Sequence, residues 1–233
     1  MHVWSVSLVA SDGEVSRARS LLSAEERNRA ERFRFERHRR RFTVARAVLR
    51  RLIGDYLRVP PETVKFGASQ HGKPFLRNPP AGGLHFNSAD SDDVALIAVA
   101  LGRDVGVDVE RIAPERAGLE IADRFFSTDE SRRLRDLPAE ARVPAFFACW
   151  TRKEAYLKAI GTGLLAPLDG FSVSFEPGVP ARLVSVQGDA EAPAMWSLVD
   201  LRPKPGYRAA VAIKCPSPDL RCWSWPPTGI GTF

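Results

Sequence analysis

Two short stretches hold most of the chemistry in this sequence: G-V-D-V-E at residues 106–110 and W-T-R-K-E-A-Y-L-K-A at 150–159. The first alternates as a strand does, so Asp108 and Glu110 project to one side while Val107 and Val109 pack behind. The second repeats Trp150, Glu154 and Lys158 at every fourth position, which stacks them on one helical face. Three carboxylates and an ammonium are thereby offered to one site. Uncompensated carboxylates repel and resist ionisation, so such a cluster is expected to hold a cation. Hard oxygen donors without His or Cys select Mg²⁺, with Mn²⁺ as the alternative. Because Mg²⁺ keeps coordination positions for water and phosphate, the partner is expected to carry a diphosphate or a nucleotide. Each feature also has an ordinary reading. Asp108 and Glu110 fit the wet face of a half-buried strand, Trp150 fits a core, and Glu154 with Lys158 fits a helix-stabilising pair worth about 0.2–0.5 kcal/mol.

The surrounding elements follow from periodicity. V-W-S-V-S-L-V-A at 3–10 alternates as a strand, and Ser23-Ala24-Glu25-Glu26 has capping-box form, predicting a helix to about Glu36. Phe42, Ala45, Leu49, Leu52, Ile53 and Tyr56 mark an amphipathic helix whose other side carries Arg39, Arg46 and Arg50, and Pro60-Pro61 ends it. V-K-F-G reads as a strand, H-G-K-P-F-L as a loop, 84–87 as a strand, S-A-D-S-D-D at 88–93 as a polar turn, and 94–101 as an apolar strand. Helices are expected at about 117–136 and 142–160, the second stopped by Gly161 and Gly163. Strands are expected near 171–176, 195–201 and 207–214, and the tail beyond 215 has no clear period. The reading is α+β, divided near 103 into an N-terminal lobe, 1–103, and a C-terminal lobe, 104–233, that carries the metal and catalytic stretches.

Composition narrows the class. With 233 residues, 44% hydrophobic and 27% charged, and Gly and Pro dispersed, the chain is globular. No stretch has the apolar length of a membrane span, and the strand-like start is unlike a signal peptide, so a cytoplasmic location is expected. Cys149, Cys215 and Cys222 are odd in number and widely spaced, and the histidines at 2, 38, 71 and 85 lack zinc-binding spacing. Net charge is +6, yet residues 1–60 hold 14 Arg against 7 acids, leaving the remainder slightly negative. That end attracts anions: nucleotide phosphates, an acidic partner protein, or nucleic acid. The aromatic residues interleaved there, Phe33, Phe35 and Phe42, fall at core-like spacings, which argues against nucleic acid.

F-N at 86–87, G-V-D-V-E, and W-T-R-K-E-A-Y-L-K-A-I-G-T-G-L resemble the ordered motif set of the 4′-phosphopantetheinyl transferase superfamily. H-G-K-P-F-L and the Arg-rich run at 32–50 resemble its longer subgroup, typified by the surfactin-synthetase activator. The resemblance spans roughly residues 20–176 and is specific through the combination of D-V-E with K-E-A-x-x-K-A. It implies two similar, pseudo-duplicated α+β lobes with the active site in the cleft between them. It further implies transfer of the phosphopantetheine arm of coenzyme A to a serine of an acyl or peptidyl carrier protein, with release of 3′,5′-ADP. Asp108, Glu110 and Glu154 would hold Mg²⁺ against the coenzyme A diphosphate. Glu154, directly or through water, would take the serine proton, and Lys158 would neutralise the attacked phosphate. Arg29, Arg41 and Lys73 would meet the nucleotide end, with Asp90 and Ser91 also against coenzyme A. A two-lobed chain completes such a cleft alone, implying a monomer.

One position departs from that pattern. Where the family reads F-N-x-S-H-S, this chain has Asp90 in place of the histidine that meets a coenzyme A phosphate. An acid there implies weaker coenzyme A binding, a shifted nucleotide, or compensation by the Arg cluster. It also leaves, as the alternative, a catalytically weak homologue that binds coenzyme A or a carrier protein.

Overall fold

The computed structural model describes residues 1–162 and 167–226. Gly163 and Leu164 of the second motif lie outside the described residues. The chain runs β1 (His2–Ser7), α1 (Asp12–Ser20), α2 (Ala24–Glu31), α3 (Glu36–Leu57), β2 (Phe66–Ala68), β3 (Pro74–Leu76), β4 (Leu84–Ser91) and β5 (Val94–Leu101). It continues through β6 (Val105–Arg111), α4 (Leu119–Phe125), α5 (Thr128–Asp136), α6 (Ala139–Ile160), β7 (Phe171–Val173) and β8 (Leu183–Val186). The last elements are α7 (Ala192–Met195), β9 (Ser197–Leu201), β10 (Tyr207–Ile213) and β11 (Arg221–Trp225). One sheet has the order β11-β1-β5-β4 and another β6-β10-β9, with β2-β3 and β7-β8 as separate hairpins.

The layers follow from alternation. On β5, Ala95, Ile97 and Val99 face the helix α3 with its Leu49, Leu52 and Ile53. Leu96 and Ala98, between them, face Val105, Val107 and Val109 of β6. The strand is therefore buried on both sides, which is why it reads as an unbroken apolar run. On β10, Ala210 and Ala212 point the other way, into the cluster built on α6. The order is helix, sheet, sheet, helix, and each sheet has a 22-residue helix on its outer face. This is the two-lobed α+β arrangement expected from the sequence.

Gly106 brings α6 close to β6. A Cβ at that position would lie 2.1 Å from the Ala155 carbonyl oxygen and 2.3 Å from the Ala159 nitrogen, both rigid helix backbone. Gly106→Ala is therefore expected to destabilise the fold by about 1–3 kcal/mol and to push Lys158 away from β6. Chemical denaturation with a parallel activity assay checks this; a stable, fully active variant would show that the contact is slack.

Several expectations are corrected. α1 has no counterpart among the elements expected from periodicity, although Ser11 and Glu14 form a full capping box. The helix beginning at Ser23 ends at Glu31, and a new one starts at Glu36. The expected helix at 117–136 divides at Ser127, where a further capping box with Glu130 starts α5. Residues 88–91, expected as turn, continue β4, because Ala89 and Ser91 are small enough to sit buried beside β5. The turn itself is at Asp92, whose φ is 49°. The tail beyond 215 contributes β11, which pairs in parallel with β1.

Candidate active site

Strand β6 turns Asp108 and Glu110 towards α6, since Val107 and Val109 are held in the intersheet core. One turn of α6 separates Glu154 from Lys158, and the Lys158 Nζ donates to Asp108 Oδ1 at 2.6 Å. Asp108 is 4% exposed, and its Oδ2 is buried without a protein partner. Burial raises the pKa of Asp108, with Lys158 opposing. Burial also raises Glu110 and Glu154, and the charge of Asp108 adds to both. For Lys158 burial acts to lower the pKa, but Asp108, Glu154 and Glu110 together hold it above its ordinary value, so it stays cationic. Trp150 packs against Phe125, Phe126 and Phe146, as its ordinary reading has it.

A cavity of about 710 Å³ adjoins these residues between α2, α3 and β4. Arg29, His38, Arg41, Asp90, Ser91 and Glu110 line it. The Ser91 hydroxyl donates to Glu110 Oε2 at 2.8 Å and accepts from the Arg111 N–H at 3.1 Å, so it orients a carboxylate. Asp90 lines the cavity; loss of solvation there raises its pKa, while Lys158, Arg41, Arg29 and His38 pull it down. Arg41 pairs with Asp92 at 3.1 Å.

Arg29, Arg41, Asp90, Ser91 and Glu110 are thus brought to one cavity, next to the Asp108, Glu154 and Lys158 contact. Lys73 is placed elsewhere. Its Nζ donates to the Ala159 carbonyl at 2.7 Å and lines a separate cavity of about 380 Å³ with His85 and Asp104. Arg46 and Arg50 are withdrawn from the basic face that the sequence drew for them. Both bond to the buried Glu26, and Arg50 also donates to the Pro61 and Val64 carbonyls at 3.0 Å. Reading residues singly missed His38 as a cavity residue. The available signal was its spacing to Arg41, Phe42 and Ala45, which puts it on the inward edge of α3.

The donor set fits a hard divalent ion. Among the described residues no three acidic, histidine or cysteine side chains already form a cage, and Lys158 takes one Asp108 oxygen. Yet the free, buried Asp108 Oδ2 and three carboxylates penalised for their charge are what a cation would relieve.

A family model described as "4′-phosphopantetheinyl transferase superfamily" matches residues 104–212, and one described as "4′-phosphopantetheinyl transferase, N-terminal" matches 8–101. Over 214 residues the chain is 41% identical to the 4′-phosphopantetheinyl transferase HetI of Nostoc sp., covering 91% of this chain and 87% of that one. It is 34% identical over 204 residues to the 4′-phosphopantetheinyl transferase psf-1 of Bacillus pumilus, with 88% and 84% covered. It is 29% identical over 207 residues to the 4′-phosphopantetheinyl transferase Sfp of Bacillus subtilis, with 88% of each covered. The chain belongs to the 4′-phosphopantetheinyl transferase superfamily and is a transferase. Within it, the chain falls in the longer, two-lobed subgroup of the surfactin-activator type.

Proposed function

We propose that this chain transfers the 4′-phosphopantetheine group of coenzyme A to a serine of an acyl or peptidyl carrier protein, releasing 3′,5′-ADP, with Mg²⁺ or Mn²⁺ as cofactor. The observation that carries the reading is the Asp108, Lys158 and Glu154 arrangement, with its orphaned Asp108 Oδ2, beside a cavity rich in cations. Asp108, Glu110 and Glu154 are the residues that would hold the ion. When bound it would neutralise charge on the diphosphate, the principal demand in phosphoryl-type transfer.

The chain's own groups divide the remaining work. Glu154, raised by burial towards neutrality, is a suitable acceptor for the serine proton. The serine oxygen forms a bond to the phosphorus bearing the pantetheine arm, and the bond to the adenosine phosphate breaks with its electron pair on 3′,5′-ADP. Lys158, held cationic, stabilises the charge that develops on the attacked phosphate. Ser91 keeps Glu110 in place, and Arg29 and Arg41 receive the nucleotide. Lys73, fixed to the last turn of α6, ties the 71–76 segment to the helix that carries Glu154. The Arg surplus of residues 1–60 favours encounter with an acidic carrier.

The segments matched at 8–101 and 104–212 support lobes 1–103 and 104–233, with β11 returning to the first. The reading takes the chain as a cytoplasmic monomer; no helix among the described residues is long and apolar enough to cross a membrane. Incubating it with apo carrier protein, coenzyme A and Mg²⁺ is expected to add the phosphopantetheine mass to one carrier serine, and a chelator is expected to prevent this. Carrier that is bound yet unmodified would favour the weak homologue instead.

A further inference from the structure

We infer that Asn87 is a positioning residue: from β4 it holds the edge of β6 so that Asp108 and Glu110 meet one divalent ion. This rests on the reading that those carboxylates bind the ion. The two large sheets meet through their end strands, β4 closing the order β11-β1-β5-β4 and β6 opening the order β6-β10-β9. β4 and β6 form no ladder with each other, so the backbone groups on the outer edge of β6 need partners of another kind. Two side chains of β4 supply them. Asn87 Oδ1 accepts from the Val107 N–H at 2.9 Å, and Ser91 Oγ accepts from the Arg111 N–H at 3.1 Å. Both bonds span 20 residues, so together they fix one parallel register between the strands. A slip by one residue would turn Asp108 and Glu110 to the wrong face.

The two clasps differ in what they reach. Ser91 also donates to Glu110, so it acts on a carboxylate directly. Asn87 bonds to the backbone of the residue before Asp108 and acts through that backbone. Asn87 is 5% exposed and Val107 0%, so solvent does not stand in for a lost acceptor. Gly106, on the other side of the same peptide bond, lies against the Ala155 carbonyl and the Ala159 nitrogen of α6. That peptide is thus gripped by β4 on one side and by the helix carrying Glu154 and Lys158 on the other. Lys158 then holds the Asp108 side chain at its far end, at 2.6 Å. One amide oxygen of the first lobe therefore sets where the second lobe presents its carboxylates.

The test is the Mn²⁺ affinity of the whole chain, without coenzyme A or carrier, read from the electron paramagnetic resonance of free Mn²⁺. Asn87→Leu, similar in volume but lacking the acceptor, is expected to weaken Mn²⁺ binding by about tenfold or more, the usual worth of a group that orients metal ligands. Asn87→Ser is too short to reach Val107; it is expected to show the same loss, and it serves where the leucine variant fails to fold. Asn87→Asp keeps an oxygen at the same reach and is expected to bind within about threefold of the parent, or more tightly. Val3→Ala separates positioning from general loosening, because Val3 is fully buried in the same intersheet core but bonds to no part of β6 through its side chain. It is expected to lower the denaturation midpoint and leave Mn²⁺ affinity at the parent value. Parent affinity in both Asn87→Leu and Asn87→Ser, an Asn87→Asp variant as weak as those two, or an equal loss in Val3→Ala each overturns the inference and leaves the transfer reading standing. A parent protein that binds no Mn²⁺ overturns the ion-binding reading, and this inference with it.

Discussion

Glu154→Gln is expected to slow carrier modification by about 10²–10⁴-fold, the usual contribution of a positioned general base. Glutamine preserves the volume of the side chain and its place on α6, so packing against Asp108 and Lys158 is little disturbed. What it removes is a proton acceptor and an anionic oxygen. The competing account is that Glu154 and Lys158 are only a helix-stabilising pair. On that account the variant would lose about 0.2–0.5 kcal/mol of stability and keep its rate. The pH profile separates the two further. Burial and the nearby charge of Asp108 hold Glu154 above the usual carboxylate range. A base must be deprotonated to act, so the rate is expected to rise as pH climbs through that raised value, and the rise is expected to vanish in the variant. Transfer at near the original rate would remove Glu154 from the chemistry.

Lys153→Met is expected to cost about 3–5 kcal/mol of stability, because it strands a carboxylate in the core. Lys153 and Glu130 are both 0% exposed, and the Lys153 Nζ donates to Glu130 Oε2 at 2.6 Å. Glu130 also accepts from the Ser127 N–H at 2.9 Å, capping α5, and from the Val173 N–H at 2.7 Å on β7. The Lys153 Nζ bonds to the Phe171 carbonyl and lies 4.3 Å from the Phe171 ring centroid. One carboxylate therefore joins α5, α6 and β7. Since Lys153 precedes Glu154, the pair sets the rotation of α6 and with it the aim of the catalytic face. Pairing Lys153→Met with Glu130→Gln removes the stranded charge, and equilibrium denaturation is expected to show much of the loss recovered. A single Lys153→Met variant as stable as the parent would mean that water or another cation reaches Glu130.

The site was legible where a local repeat decides which way a side chain points. Two-residue alternation placed Asp108 and Glu110 on the α6 side of β6, and the four-residue step aligned Glu154 with Lys158. Features that depend on a remote partner were not legible. Lys153 lies one residue from Glu154 and looks like any solvated lysine until β7 and α5 close over it. Arg46 and Arg50 read as a basic face, but Glu26 sits on the preceding helix and draws both inward. Asp90 read as part of a turn because its neighbours are polar and small, and only pairing with β5 makes the segment a strand. In the tail, β11 is five residues long and only Cys222 is fully buried, so no alternation registers without β1 beside it.

The parallel pairing of β11 with β1 has a consequence for how the molecule is made. Val3 is aligned with Cys222 and Trp4 with Trp223, the two indoles stacked at 5.0 Å. The strand β1 is paired by a segment that lies far later in the chain, so a nascent chain emerging from the ribosome exposes that edge of β1 until β11 has been made. Contacts this distant along the backbone close slowly. The sheet that holds β1 is therefore complete only once β11 has been made, and a cut between β5 and β6 would part β1 from that neighbour.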